Sequence, residues 1–334
     1  MMPPEILIPD RLHPPADIEQ TVFGPDASFL MPVAEHADAV PKEYWPQADA
    51  ILLWHEVCLD ADTIGKLDRC KVVVRIGVGF DNVDLAAAGK RGIYVCNVPD
   101  YGTEDVADHA LAFILALGRG VLTYDTRARA NDWSWTAAAP LKRLRGQRLG
   151  IIGLGRIGTA VALRARAFGM EVLFYDPYKP LGYDKSIGVT QVRKLEDLLS
   201  VADIVTLHTP LTDETMNMAN KTFFFRLPSG GMFINTARGE CYDLTALYEA
   251  LKSGHLRAAG LDVLPEEPPD PQHPLIQAWQ EQQEWLAGRL IITPHAAFYN
   301  QESYAEMRRK GAEEAHRVLG GQEPLNCVNR EWLR

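Results

Sequence analysis

One stretch limits this chain more than any other: LGIIGLGRIGTAVALRARAFGMEVLFYDP at 149–177, which reads as strand, glycine turn, helix and strand in direct succession. Residues 149–152 are a short apolar run containing β-branched side chains, the pattern of a parallel strand buried on both faces. Gly153, Gly155 and Gly158 follow as G-x-G-x-x-G. In such a turn the first glycine permits the tight bend. The second admits a pyrophosphate to the backbone, and the third lets helix and strand pack closely. The helix that opens there points unpaired N–H groups and a positive dipole end at the same place. Ile157, Val161, Ala165 and Phe168 recur at helical spacing, so one face can lie on a sheet. A second apolar run ends at Asp176, 18 residues beyond Gly158, where a ribose hydroxyl requires an acceptor. A bare G-x-G-x-x-G is a common turn, but here strand, helix and terminal acid all stand where dinucleotide binding needs them. Asp176 would repel a 2′-phosphate, which favours NAD(H) over NADP(H).

At 334 residues the chain exceeds one ordinary core, so two domains are expected. Its formal net charge of −10 argues against a nucleic-acid surface. No apolar run reaches the roughly 18–20 residues of a membrane helix. The first residues, MMPPEILIPD, lack a basic region followed by a long apolar one, and the five cysteines have no metal-ligand spacing. A cytoplasmic location and no metal are the expectations.

Before the glycine turn, apolar runs of strand length at 6–8, 50–53, 71–75 and 93–96 alternate with helix-like stretches at 61–68 and 83–90. Asp60 and Asn82 are candidate N-caps for those helices. This alternation predicts a parallel α/β layer of its own. Thr103 reads as the cap of a helix whose residues 106–117 are almost continuously apolar. Trp133 and Trp135 follow in a loop that suits packing on a partner subunit. Beyond Asp176 the alternation continues, with strands expected at 204–208, 232–235, 258–263 and 290–292. Helices are expected at 195–199, 244–252 and 301–319. A further amphipathic helix would carry Leu275, Ile276, Trp279 and Leu286 on one side. Charges on the outer face of the last helix read as solvation.

In an open parallel sheet, ligands gather beyond the carboxyl ends of the strands. Arg238, Glu267 and His295 fall at or just past such ends. Each alone has an ordinary explanation, as a surface arginine, a solvated loop glutamate or a core histidine. Together they offer a cation for a carboxylate, a proton donor and a carboxylate to tune it, which reduction of a 2-keto acid by hydride transfer requires.

With these residues in view, the sequence resembles the D-isomer-specific 2-hydroxyacid dehydrogenase family over nearly its whole length. The shared motifs are VRIGVGFDNVD (74–84), the glycine fingerprint ending in FYDPY, LHTPLT (207–212), NTARGE (235–240), GLDVLPEEP (260–268) and TPHAAFY (293–299). The aromatic residue in HAAFY and the closing NCVN (326–329) resemble its C-terminal binding protein branch. The resemblance implies two doubly wound parallel-sheet α/β domains with an active-site cleft between them. A flavodoxin-like substrate domain would span 1–101 and 298–334, and a Rossmann NAD-binding domain 102–297. It implies His295 as general acid/base, Glu267 raising the imidazole pKa, and Arg238 on the substrate carboxylate. Arg75, the backbone of Val78 and Gly79, and Phe298 would meet the substrate. Gly153, Gly155, Arg156, Ile157, Gly158, Asp176, Thr236 and Asp262 would hold the cofactor, with Thr103, Thr209, Pro210, Thr215, Ala237 and Ala297. Formate dehydrogenases of the wider group carry glutamine beside the histidine, so Glu267 favours keto/hydroxy interconversion. A homodimer through 103–140 is also implied. An alternative remains open: an NADH-sensing, co-repressor-like binding module with weak or vestigial turnover. Residues 271–289, longer than usual for the family and carrying two tryptophans, are expected to roof the substrate pocket.

Overall fold

The computed structural model describes residues 3–333. The chain divides into two compact units, one reaching to Gly102 and resuming at Tyr299, the other running Thr103–Phe298. Both edges fall one residue beyond the expected boundaries.

In the first unit the order is β1 (Glu5–Leu7), α1 (Asp17–Phe23), β2 (Ser28–Leu30), α2 (Tyr44–Gln47), β3 (Ala50–Leu53), α3 (Ala61–Gly65), β4 (Val72–Arg75), α4 (Leu85–Lys90) and β5 (Tyr94–Asn97). The strands form a wholly parallel sheet in the order β2-β1-β3-β4-β5, the flavodoxin-like arrangement. Every residue of β3 and β4 is buried, which explains why β3 and the first three residues of β4 are continuously apolar and do not alternate. Asp60 does cap α3, accepting from Thr63 N at 2.8 Å. Asn82, expected to cap the next helix, does not. Asp84 takes that place, accepting from Ala87 N, while the Asn82 amide donates to the carbonyls of Trp54 and Val57. The bridge between Leu59 and Val83 keeps the chain extended past Asn82, so the helix starts later.

The second unit continues with α5 (Thr103–Gly118), α6 (Val121–Arg129), β6 (Arg148–Ile152), α7 (Arg156–Ala167), β7 (Glu171–Tyr175), α8 (Tyr183–Ile187), β8 (Thr190–Gln191), α9 (Leu195–Leu199), β9 (Ile204–Leu207), α10 (Lys221–Arg226), β10 (Gly231–Asn235), α11 (Leu244–Lys252), β11 (Leu256–Leu261), α12 (Pro274–Gln280) and β12 (Leu290–Ile292). Its seven parallel strands run β12-β11-β10-β9-β6-β7-β8, so strand order reverses between β6 and β9, the switch point of a Rossmann sheet. Separate apolar cores cover the two faces, one drawing on α5 and α7, the other on α9 to α12. Thr103 is itself the first residue of α5, not its cap. The amphipathic helix α12 stops at Gln280, so Leu286 reaches the core from a turn. Trp285 stands edge-on to Tyr248 of α11, with Lys252 Nζ 4.3 Å above its ring. The expected pocket roof is therefore, at Trp285, a cover for α11.

The last long helix, α13 (Gln301–Leu319), packs on α1, β3 and β4 of the first unit. The solvation expected for its charges fails at Arg308, which lies in the buried face. Its guanidinium pairs with Glu19 through Nε (2.9 Å) and Nη2 (2.6 Å), and with Asp17 (2.7 Å).

Candidate active site

Because all strands of the second unit are parallel, their carboxyl ends share one edge, and the loops after β6, β7, β9, β10, β11 and β12 carry residues singled out in the sequence. The turn after β6 behaves as its glycines demand. Gly153 has φ +88°, and a Cβ there would stand 2.6 Å from the His208 carbonyl oxygen. A Cβ at Gly158 would collide with the Gly153 carbonyl, whereas one at Gly155 would meet nothing within 4 Å. The first and third glycines are thus demanded by the protein, while the second leaves an open approach at the cap of α7, beside Arg156 and Ile157.

Asp176, just past β7, accepts from Leu154 N at 2.9 Å and from Tyr178 N at 3.0 Å. It therefore ties the glycine turn to the end of β7. A carboxylate has about four lone-pair directions, so two remain for ribose hydroxyls. Past β9 and β10, the hydroxyls of Thr209 and Thr236 are buried and have no nitrogen or oxygen partner among the described residues. For Thr209 the neighbouring group is the weakly accepting Cys241 thiol. Buried hydroxyls in this state suit a polar ligand, and with the open Gly155 approach they fit a dinucleotide. The Thr215 hydroxyl donates to Pro210 O at 2.7 Å and holds the 210–215 turn.

The loop after β10 is built on Asn235, which the sequence reading left without a role. Its buried side chain donates to Arg238 O at 2.8 Å and accepts from Ala237 N at 2.9 Å. Arg238 Nη1 donates to Ala237 O at 2.8 Å. A Cβ on Gly239 would overlap the Leu264 carbonyl, so glycine there lets this loop abut the one after β11. In that neighbouring loop Glu267 accepts from Leu264 N at 2.9 Å and meets His295 Nδ1 at 2.8 Å. Burial pushes the Glu267 carboxyl up, but the His295 hydrogen bond and charge, the Leu264 N–H and Arg238 together carry it below its ordinary value. Glu267 is held ionised. His295 sits at φ +52°, with its backbone N–H on the carbonyls of Asp262 and Thr293. Asp262 is buried and accepts from Ala296 N and Ala297 N, both at 2.9 Å. Ala297, expected at the cofactor, thus gives its N–H to the loop itself.

The first unit has its own carboxyl edge. Arg75 ends β4 and is buried, with Nη1 on the Ile76 carbonyl at 2.5 Å. Gly77, at φ +149°, leaves the space that this guanidinium fills. The turn through Val78 and Gly79 is pinned by Asn97, whose amide donates to Val78 O at 2.6 Å. Phe298 is the last residue of the second unit.

Fold and edge residues describe an α/β protein with a glycine turn suited to a nucleotide and a histidine–glutamate pair beside an arginine. Known proteins narrow this. Residues 111–297 match the family model of the D-isomer specific 2-hydroxyacid dehydrogenase NAD binding domain. A glyoxylate reductase of Korarchaeum cryptofilum is 39% identical over 280 residues, covering 83% of this chain and 81% of that protein. C-terminal-binding protein 1 of Caenorhabditis elegans is 34% identical over 330 residues, 92% of this chain but only 44% of that longer protein. D-lactate dehydrogenase of Aquifex aeolicus, solved with NAD and lactic acid, superposes with a TM-score of 0.86 at 30% identity, covering 97% of this chain and 99% of that one. The chain belongs to the D-isomer-specific 2-hydroxyacid dehydrogenase family, and its cofactor is NAD(H).

Proposed function

We propose that this protein interconverts a small 2-keto acid and the corresponding D-2-hydroxy acid. The observation that carries the proposal is the 2.8 Å contact between His295 Nδ1 and an ionised Glu267, in a loop abutting that of Arg238. Bound NAD(H) would supply or accept the hydride; the remaining demands fall on the chain. As a keto carbon gains hydride its oxygen gains an electron pair and requires a proton. His295 Nε2 donates that proton in reduction and removes it in oxidation. Glu267 accepts Nδ1–H, which fixes the ring's tautomer and orientation. Arg238 binds the substrate carboxylate and polarises the adjacent carbonyl. Phe298 meets the substrate's side chain. Asp176, Thr209, Thr236, Asp262 and the glycine turn would hold the cofactor.

Glyoxylate and pyruvate are the first substrates to test, since relatives reduce glyoxylate by name and bind lactic acid in the solved complex. An NADH-oxidation screen over these two, hydroxypyruvate, phenylpyruvate and thioether-bearing keto acids should find turnover. Arg238→Ala and His295→Ala should each abolish it while leaving NADH binding intact. Full activity in His295→Ala would sink the mechanism. A second reading is an NADH-sensing binding module, favoured by the 34% identity to C-terminal-binding protein 1. Tight NADH binding with no turnover of any keto acid would select it. We further propose a homodimer through residues 103–140, where Trp133 and Trp135 stand 80% and 83% exposed. A monomer in sedimentation at assay concentration would end that proposal.

A further inference from the structure

His109 lies on α5, far in sequence from every motif above, yet its side chain reaches the loop that carries His295. Its Nε2 is 3.0 Å from Thr293 Oγ1, and Thr293 Oγ1 is 2.5 Å from Asp262 Oδ1. A carboxylate only accepts, so the single hydroxyl hydrogen of Thr293 goes to Asp262. The short first contact then requires His109 Nε2 to be the donor. The bonds run one way, from His109 to Thr293 to Asp262, ending on a buried carboxylate.

Asp262 is the post on which residues 293–297 hang. Its side chain receives Ala296 N and Ala297 N, and its carbonyl receives His295 N. Those bonds hold His295 at φ +52°, a conformation that a non-glycine residue keeps only under constraint from its surroundings. The donor at the far end is itself fixed. One turn along α5, Phe113 stands edge-on to the His109 ring at 4.6 Å, and Gly260 of β11 is open to Phe113 because a Cβ would come within 2.7 Å of it.

We propose that His109 is a positioning residue: acting through Thr293, it locks the Asp262 carboxylate and so the placement of His295. This rests on His295 being the acid–base group. The helix α5 thereby serves the reaction and not only the core.

Three variants test it. His109→Phe keeps a flat ring but removes the donor, His109→Gln returns an Nε2 donor, and Thr293→Val removes the relay hydroxyl. In Phe and Val, kcat should fall roughly tenfold to a hundredfold, the loss expected from a small misplacement of a reacting group. The pH profile of kcat/KM should shift with it, while the Kd for NADH holds within about twofold. Gln should recover most of the rate, and the Phe/Val double variant should be no worse than either single one. Equal impairment in Phe and Gln, or none in either, would overturn the proposal. Hydrogen exchange at the Ala296 and Ala297 amides needs no turnover: it should quicken in Phe and Val and remain slow in wild type and Gln. Unchanged exchange in Phe and Val would also overturn it. If the wild type reduces none of the keto acids, the proposed activity fails while exchange still decides the positioning.

Discussion

Each unit contains a pair of a carboxylate and a basic side chain that joins separate parts of the chain, and their surroundings set them apart. In the first unit Arg308 and Glu19 are 7% and 2% exposed and meet in a two-pronged contact between α13 and α1. In the second, His295 and Glu267 are 22% and 35% exposed, bound through one nitrogen, on loops at the carboxyl edge of a sheet. Removal from water is costly for both partners and is offset only by close, multiple hydrogen bonds, so the Arg308 pair holds helices together and offers nothing to solvent. A partly open pair of a titratable ring and an ionised acid forgoes that rigidity but can pass a proton on. The same two kinds of group thus tie helices together where they are enclosed, and under the proposed function serve chemistry where they are partly open.

This contrast can be broken from either side. His295→Asn should lower turnover by about 10²–10⁴-fold, the typical worth of a general acid, with little movement of the melting temperature. Arg308→Met should do the reverse. Leaving Glu19 buried without a partner costs about 3–5 kcal/mol, read as a lower denaturant midpoint, while the protein that remains folded turns over normally. Adding Glu19→Leu to Arg308→Met should recover much of that loss, because two apolar groups need no partner. If Arg308→Met lowered kcat with unchanged stability, the division between the pairs would be lost. A smaller effect belongs to Gly158→Ala. Its methyl would meet the Gly153 carbonyl, and such overpacking costs about 1–3 kcal/mol. NADH affinity should fall alongside stability, since the same contact shapes the phosphate turn.

What could be read from the sequence follows the range of the interactions. The glycine turn is local: strand, bend and helix lie within one short run, and each glycine answers to atoms a few residues away or in the next strand. Arg238, Glu267 and His295 were also legible, because parallel topology sends every strand's carboxyl end to one edge once the strands are recognised. Arg308 was not. Its partner Glu19 lies 289 residues away, and helical periodicity cannot tell a solvated charge from one that meets a buried acid. His109 was missed for the same reason, 184 residues from Thr293 on a helix whose apolar pattern spoke only of packing. The strands β2 and β8 are short and partly exposed, three and two residues long, with no continuous apolar run to mark them. Trp285 looked like a pocket residue because tryptophans near a site suggest ligand, yet Lys252 and Tyr248 take it for α11.

The smallest expected effect comes from acid, and it separates the two regions by pH. Glu267 has a folded-state pKa below its ordinary 4.5, because its hydrogen bonds and the nearby charges outweigh its burial. A depressed carboxyl adds stability above its unfolded pKa and gives it up as pH falls through the folded one, so this pair weakens only below about pH 4.5. Solvent screening at so open a site keeps the contribution under about 1 kcal/mol. Asp17, lowered from 3.8 first by its Arg308 hydrogen bond, follows the same sign but begins to yield only below that value. Denaturant midpoints taken from neutral pH into acid should therefore show wild type and Glu267→Gln separated by a constant gap that narrows from about pH 4.5. For Asp17→Asn the narrowing should start lower. Glu267→Gln should lose turnover already at neutral pH, where its stability gap is still constant, because the neutral amide no longer gives the His295 ring an anionic acceptor. A variant that narrowed in acid yet kept full turnover would make Glu267 a purely structural partner, and the two pairs would then differ only in exposure.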